Sequence, residues 1–210
     1  MNGMWRIFIH RVGMFGCASL VLGLLPSCAM SSAEKERLRL EELAKANQPP
    51  PLFHWDGALA VNGPTSIRIE LSEQKAYIYR GGQEAAWTYI ASGRGRHATP
   101  AGKYRVMEKI QDKHSNRYGV IVDASGDVID GDATAGKEAI PAGGKFVGAP
   151  MPYWMRLTGY GIGMHAGHIP NPGHPASHGC LRLPRDLAAK LFEVVDVGTE
   201  VTVHGTMPRS

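Results

Sequence analysis

With 210 residues, 43 % of them apolar, the chain can bury a core, so composition excludes a disordered polypeptide and leaves room for one domain plus an appendage. A formal net charge of +4 suits an anionic partner such as a cell-wall polymer or a lipid head group. Three cysteines are too few for a disulfide scaffold, and their positions matter more than their number.

The N-terminal stretch reads as an export signal. Arg6, His10 and Arg11 precede the apolar run from Val12 to Leu25, which meets Pro26-Ser27-Cys28. A membrane-spanning helix needs about 20 apolar residues, more than this run supplies. Leu25-Pro-Ser-Cys28 resembles a bacterial lipobox, which predicts a signal peptide over 1–27, a diacylated Cys28 and a membrane-held lipoprotein facing the cell wall in the periplasm; an ordinary secretory signal is the alternative. On that reading Cys17 is discarded and Cys28 carries lipid, so Cys180 is the remaining thiol and no intramolecular disulfide forms. Export also removes nucleic acid as a partner.

Segment 29–52 predicts a tether: good helix formers run from Ser31 to Ala46, and Pro49-Pro-Pro51 stops the helix and favours an extended spacer. From 53 to 206 the pattern becomes that of a mainly β domain. Ser66–Leu71 and Lys75–Tyr79 alternate, Gly81-Gly82 turns the chain into Ala85–Ile90, and the breaks are glycine-rich, which predicts antiparallel sheet. Further strands are expected at Gly102–Met107, Tyr118–Val122, Met155–Leu157, Gly161–Met164 and Glu200–His204. One amphipathic helix is expected over Pro184–Val195. Gln111 to Gly148, rich in Gly and Asp, reads as hydrated turns or a binding loop, since calcium-loop spacing is missing.

The chemistry concentrates in His165–Leu183, where Cys180 lies among His165, His168, His174 and His178. A thiol attacks as its thiolate, and a neighbouring imidazole is the usual means of making one, so this segment points to covalent acyl chemistry. Cys180 begins a strand-like run and shares a face with Arg182, away from Leu181 and Leu183. Gly179 permits close backbone approach and, with Cys180, offers N–H groups to an oxyanion. Both His178 and His165 qualify as the base, and spacing does not choose between them. His168 and His174 read as loop residues that are exposed or meet substrate. Ser177 lacks the Gly-x-Ser-x-Gly context of a serine nucleophile and reads as a turn-fixing hydroxyl. A zinc reading of the same histidines is weakened by Pro172, Gly173, Pro175 and Gly179, which oppose the helix that His174 and His178 would need. No metal or other cofactor is expected.

Met164-His165-Ala-Gly followed by Pro175-Ala-Ser-His-Gly-Cys-Leu-Arg-Leu183 resembles the L,D-transpeptidase (YkuD-like) catalytic domain, as do Ile67–Tyr79, Gly93 and Thr99-Pro-Ala-Gly102. The resemblance covers roughly Ser66 to His204 and implies a β-sandwich with one helix near the C-terminus and long loops. It implies that Cys180 attacks a peptidoglycan stem peptide, expels the terminal D-alanine, and passes the thioester acyl group to an amine, giving a cross-link or an anchored protein. It assigns the base to His165, oriented by the Ala166 carbonyl, site-shaping roles to Ser177 and His178, oxyanion amides to Gly179 and Cys180, and substrate ordering to Arg182. Tyr153 and Trp154 are expected to wall the cleft. Hydrolysis of the same acyl-enzyme, an L,D-carboxypeptidase activity, and an idle wall-binding lipoprotein are the competing functions. The expected partners are stem peptides and, through the anchor, a membrane; the expected state is a monomer.

Overall fold

The computed structural model describes residues 30–46, 48, 50–55 and 62–206. The signal segment 1–27 and the lipidation site Cys28 therefore lie outside the described residues. The chain divides into two compact units, 1–49 and 50–210, each taken by itself.

In the first unit, α1 spans Ser32–Ala46. Ser31 Oγ accepts the Glu34 N–H at 3.2 Å, satisfying one of the donors that a helix start leaves open, and Arg37 lies 3.5 Å from Glu41 one turn on. A helix stands where helix formers were expected; Asn47 and Pro49 lie outside the described residues.

The second unit holds eleven strands and α2, Arg185–Val194. Its first sheet contains β1 (Phe53–Trp55), β2 (Thr65–Glu70), β3 (Lys75–Arg80), β4 (Gln83–Tyr89), β5 (Gly102–Arg105) and β11 (Glu200–His204), in the order β1-β4-β3-β2-β11-β5. Its second contains β6 (Glu108–Val122), β7 (Val128–Thr134), β8 (Lys145–Arg156), β9 (Gly163–Ala166) and β10 (Leu181–Leu183), in the order β10-β9-β8-β6-β7. Alternation in the sequence becomes burial. Ile67 and Ile69 of β2 and Ile78 of β3 join Met155, Met164, Leu181 and Leu183 of the second sheet in one core, which Leu187 and Leu191 of α2 complete. The isoleucines and leucines among them are exposed by 2 % or less, and each such side chain contributes roughly 1.5–3 kcal/mol through burial.

Two features depart from the expected antiparallel, loop-rich layout. First, β11 runs parallel to β2 and β10 parallel to β9; the segment 167–180 separates β9 from β10 and most of the domain separates β2 from β11, and alternation within a strand carries no information about direction. Second, most of Gln111–Gly148 is strand. The ladder β7-β6-β8 mixes exposed polar residues with a few buried ones, Ile121, Val122 and Ala133, so beyond Tyr118–Val122 it leaves little hydrophobic period to read. The Asp-rich pieces do form turns there: Asp123 Oδ1 accepts the N–H of Ser125 at 2.8 Å and of Asp127 at 3.0 Å.

Candidate active site

Adjacent parallel strands build the centre of the site. In the β9/β10 register Met164 faces Leu181 and His165 faces Arg182. Because Met164, Leu181 and Leu183 turn into the core, His165, Arg182 and the residue just before β10, Cys180, share the opposite face. The sequence placed His165 after its strand, whereas it sits inside β9 and is only 6 % exposed. Gly163 lies beside it, and a Cβ there would stand 2.7 Å from the ring of Trp154, so glycine is what lets the indole underlie this face.

His165 Nδ1 donates to the Ala166 carbonyl at 2.8 Å. Because a carbonyl only accepts, Nδ1 carries the proton and Nε2 is left as the basic nitrogen. Burial pulls the His165 pKa down to about 4, against the opposing pull of the Ala166 carbonyl and with a small further push from Arg182, so the ring is neutral near pH 7. Cys180 is half-buried, and its Sγ lies 3.7 Å from the Gly161 carbonyl. Burial raises its pKa, while the Gly163 N–H and the Arg182 charge work the other way. Burial therefore favours the neutral form of each group, thiol and imidazole.

The turn before Cys180 is tied down at every step. Ser177 Oγ donates to the Cys180 carbonyl at 2.5 Å and accepts the Gly179 N–H at 3.0 Å. The Ser177 N–H reaches the Ser92 carbonyl at 2.9 Å, and the Arg94 N–H reaches the Ser177 carbonyl at 3.0 Å. Gly179 adopts φ +119°, a conformation that disfavours any side chain. Thr99 Oγ1 accepts the Gly93 N–H at 2.8 Å and donates to the Gly179 carbonyl at 2.7 Å, clamping segment 93–99 to the turn. Behind it, fully buried Gln74 donates to Ser92 Oγ at 2.8 Å and accepts the Ser92 N–H at 2.9 Å. Gln74 and Ser92 were invisible to sequence reasoning as site supports, because a polar residue in a turn gives no sign that it will be buried.

Several expected roles change. The Gly179 N–H is already engaged by Ser177 Oγ, so the expected oxyanion pair is reduced to the Cys180 N–H, which meets no protein acceptor among the described residues. His178 turns to the cleft wall: its Nε2 lies 3.7 Å from Asp132 Oδ1 and its ring stacks on Tyr118 at 4.5 Å, with His97 at 5.1 Å. Trp154 does line the cleft, 2 % exposed and 6.1 Å from the His165 ring. Tyr153 does not; as the next residue on β8 it points the other way and packs on Phe192. His168 and His174 are exposed, and Arg182 Nη1 reaches the His168 carbonyl at a long 3.5 Å. Among the described residues no group of three or more His, Cys, Asp or Glu side chains is placed to hold a metal ion.

These groups open on a cleft of about 680 Å³ lined by Cys180, His165, Trp154, Arg182 and His178 together with residues of β6 and β8. A buried imidazole and a thiol that share a strand face and line one cleft of that size are suited to acyl chemistry at a carbonyl.

Comparison with known proteins agrees with this architecture. No curated protein matches the sequence. Among solved structures, an L,D-transpeptidase from Stackebrandtia nassauensis is similar with a TM-score of 0.50 and 21 % identity, over 75 % of this chain and 63 % of that one. One from Mycobacterium smegmatis gives 0.51 and 19 % over 68 % of this chain and 59 % of that one. A cysteine-to-serine mutant of the Enterococcus faecium L,D-transpeptidase gives 0.50 and 27 % over 68 % and 50 %. The chain thus spans half to two thirds of the length of these relatives. The sequence model of the YkuD L,D-transpeptidase catalytic domain matches residues 64–203, a range that takes in both sheets' shared core, His165 and Cys180, and the chain accordingly belongs to that family.

Proposed function

We propose that this protein is a cysteine-dependent L,D-transpeptidase acting on peptidoglycan stem peptides. The observation that carries the reading is the shared face of β9 and β10, where a neutral His165 with its Nδ1 proton committed to Ala166 lies on the side of the sheet that bears Cys180. The thiol of Cys180 attacks the donor carbonyl as His165 Nε2 takes its proton, forming the carbon–sulfur bond. The Cys180 N–H is available to the oxyanion. The tetrahedral species collapses with cleavage of the bond to the terminal D-alanine, whose amine takes the proton back from His165, leaving a thioester. An acceptor amine then attacks the thioester, giving up its proton to His165, and the thiolate leaves as the new amide forms. The same acyl-enzyme attacked by water gives a carboxypeptidase.

Export and lipidation at Cys28 belong to this reading, supported by the basic flank, the Val12–Leu25 run and Leu25-Pro-Ser-Cys28. A mature protein from cells whose mass carries no diacylglycerol would remove the anchor from the proposal.

The test is mass spectrometry of tetrapeptide muropeptides incubated with the protein, beside Cys180→Ala. Cross-linked dimers with loss of D-alanine, missing in the mutant, are expected. Tripeptide monomers alone would assign water as the acceptor, and turnover that survives in Cys180→Ala would end the thiol mechanism.

A further inference from the structure

Strand β6 carries an outsized bulge over the cleft. His114 pairs with Pro150 and Gly119 with Gly148, so Ser115, Asn116, Arg117 and Tyr118 stand against Ala149 alone. The bulge is held by Ser115 Oγ, which accepts the N–H of Arg117 at 3.2 Å and of Tyr118 at 2.9 Å. A Cβ on Gly148 would lie 1.9 Å from the Ser115 carbonyl, so bare backbone is needed beneath it. All four bulge residues, and Lys113 just before them, line the cleft. Tyr118 stacks on His178, two residues from Cys180, and the Arg117 guanidinium lies 5.3 Å from the Tyr118 ring centre. A run of ring contacts thus connects the bulge to the nucleophile turn.

Among the described residues, Lys113, Arg117, Arg156 and Arg182 line the cleft and no Asp or Glu does, while Asp132, outside the lining, meets His178 Nε2 at 3.7 Å. Arg156 is neutralised by Glu108 at 2.7 Å, but Lys113 and Arg117 have no carboxylate partner among the described residues. Cations gathered unpaired in a concave site repel one another and raise the local potential, and a ligand with anions at matching positions relieves that repulsion.

We propose that Lys113 and Arg117 on the β6 bulge are specificity residues that bind carboxylates of the stem peptide, so that the enzyme selects stems whose carboxyl groups are free and discriminates against amidated ones. This rests on the transpeptidase reading for the nature of the ligand but not for the charge preference itself. Lys113 is half-buried and Arg117 exposed, so the preference weakens as salt rises.

The test compares a tetrapeptide stem with its counterpart carrying carboxamides, by calorimetric binding to the full-length Cys180→Ala protein. The free-carboxylate peptide is expected to bind roughly tenfold tighter, as for charge-assisted hydrogen bonds in a partly wet site. The Lys113→Gln/Arg117→Gln double variant should bring the ratio close to one, and Lys113→Arg/Arg117→Lys should retain most of it. Equal binding of the two peptides, or a ratio unchanged in the neutral double variant, would overturn the proposal. Intact mass of Cys180-containing protein incubated with the same peptides separates the two readings. A charge preference without a thioester leaves the anion-selective cleft standing and removes the transpeptidase, whereas a thioester formed equally from both peptides does the reverse.

Discussion

The buried imidazole of His165 makes a linkage prediction whose size follows from the structure. Burial holds its pKa at about 4, against an ordinary value of 6.5. Between those values the unfolded chain binds a proton that the folded site refuses, so stability from this group is fully present above pH 6.5 and is lost as pH falls through about 4. The gap corresponds to about 3 kcal/mol, which for a domain of this size is roughly 6–12 °C in the unfolding midpoint. His165→Gln keeps a polar side chain of similar reach and removes the titration. Thermal unfolding of wild type and variant across about pH 7.5 to 4 should therefore show the wild type losing that much more stability than the variant, with carboxylate effects cancelling in the difference. In the proposed mechanism the neutral ring is the base that acts on Cys180, so kcat/KM should hold below pH 6.5 and fall near 4. Parallel stability curves for the two proteins, together with an acid limb near 6.5, would refute the account of a desolvated neutral base.

Two further predictions concern the clamp behind the nucleophile. Thr99→Val keeps the shape but leaves the Gly93 N–H and the Gly179 carbonyl unpaired in a buried place, so chemical denaturation should show a loss of about 2–4 kcal/mol, with slower acylation of Cys180. Gly93→Ala puts a Cβ 1.9 Å from the His97 carbonyl and 2.7 Å from Gly179 Cα; both obstacles are backbone, so acylation measured by intact mass should fall at least tenfold even where the protein remains folded.

The strands legible in advance were those with a core on one side. Ile67 and Ile69, or Leu181 and Leu183, alternate because one face of their sheet is dry. Most of the β6–β7 extension outside Tyr118–Val122 has no continuous buried face, and its Asp and Gly content read as turns even where the backbone was strand. The same split runs through the site. Cys180 and His165 stood out by residue type and motif. Gln74 and Ser92 could not, because a buried amide is recognisable only by the partners that satisfy it.

The sequence by itself determined the chemistry on offer, a lone thiol among histidines after a glycine, and the mainly β character of the domain that holds it. Tertiary structure decided which imidazole is buried and held neutral on the face of Cys180. His178 meets Tyr118 of β6 and Asp132 of β7, the latter on a strand that the sequence did not announce, and His165 is stripped of water by the sheet around it. It also brought Lys113 and Arg117 of a distant strand to the cleft that Cys180 lines. Residue type and spacing encode local conformation and reactivity, whereas desolvation and charge pairing depend on which segments the fold brings within a few ångströms.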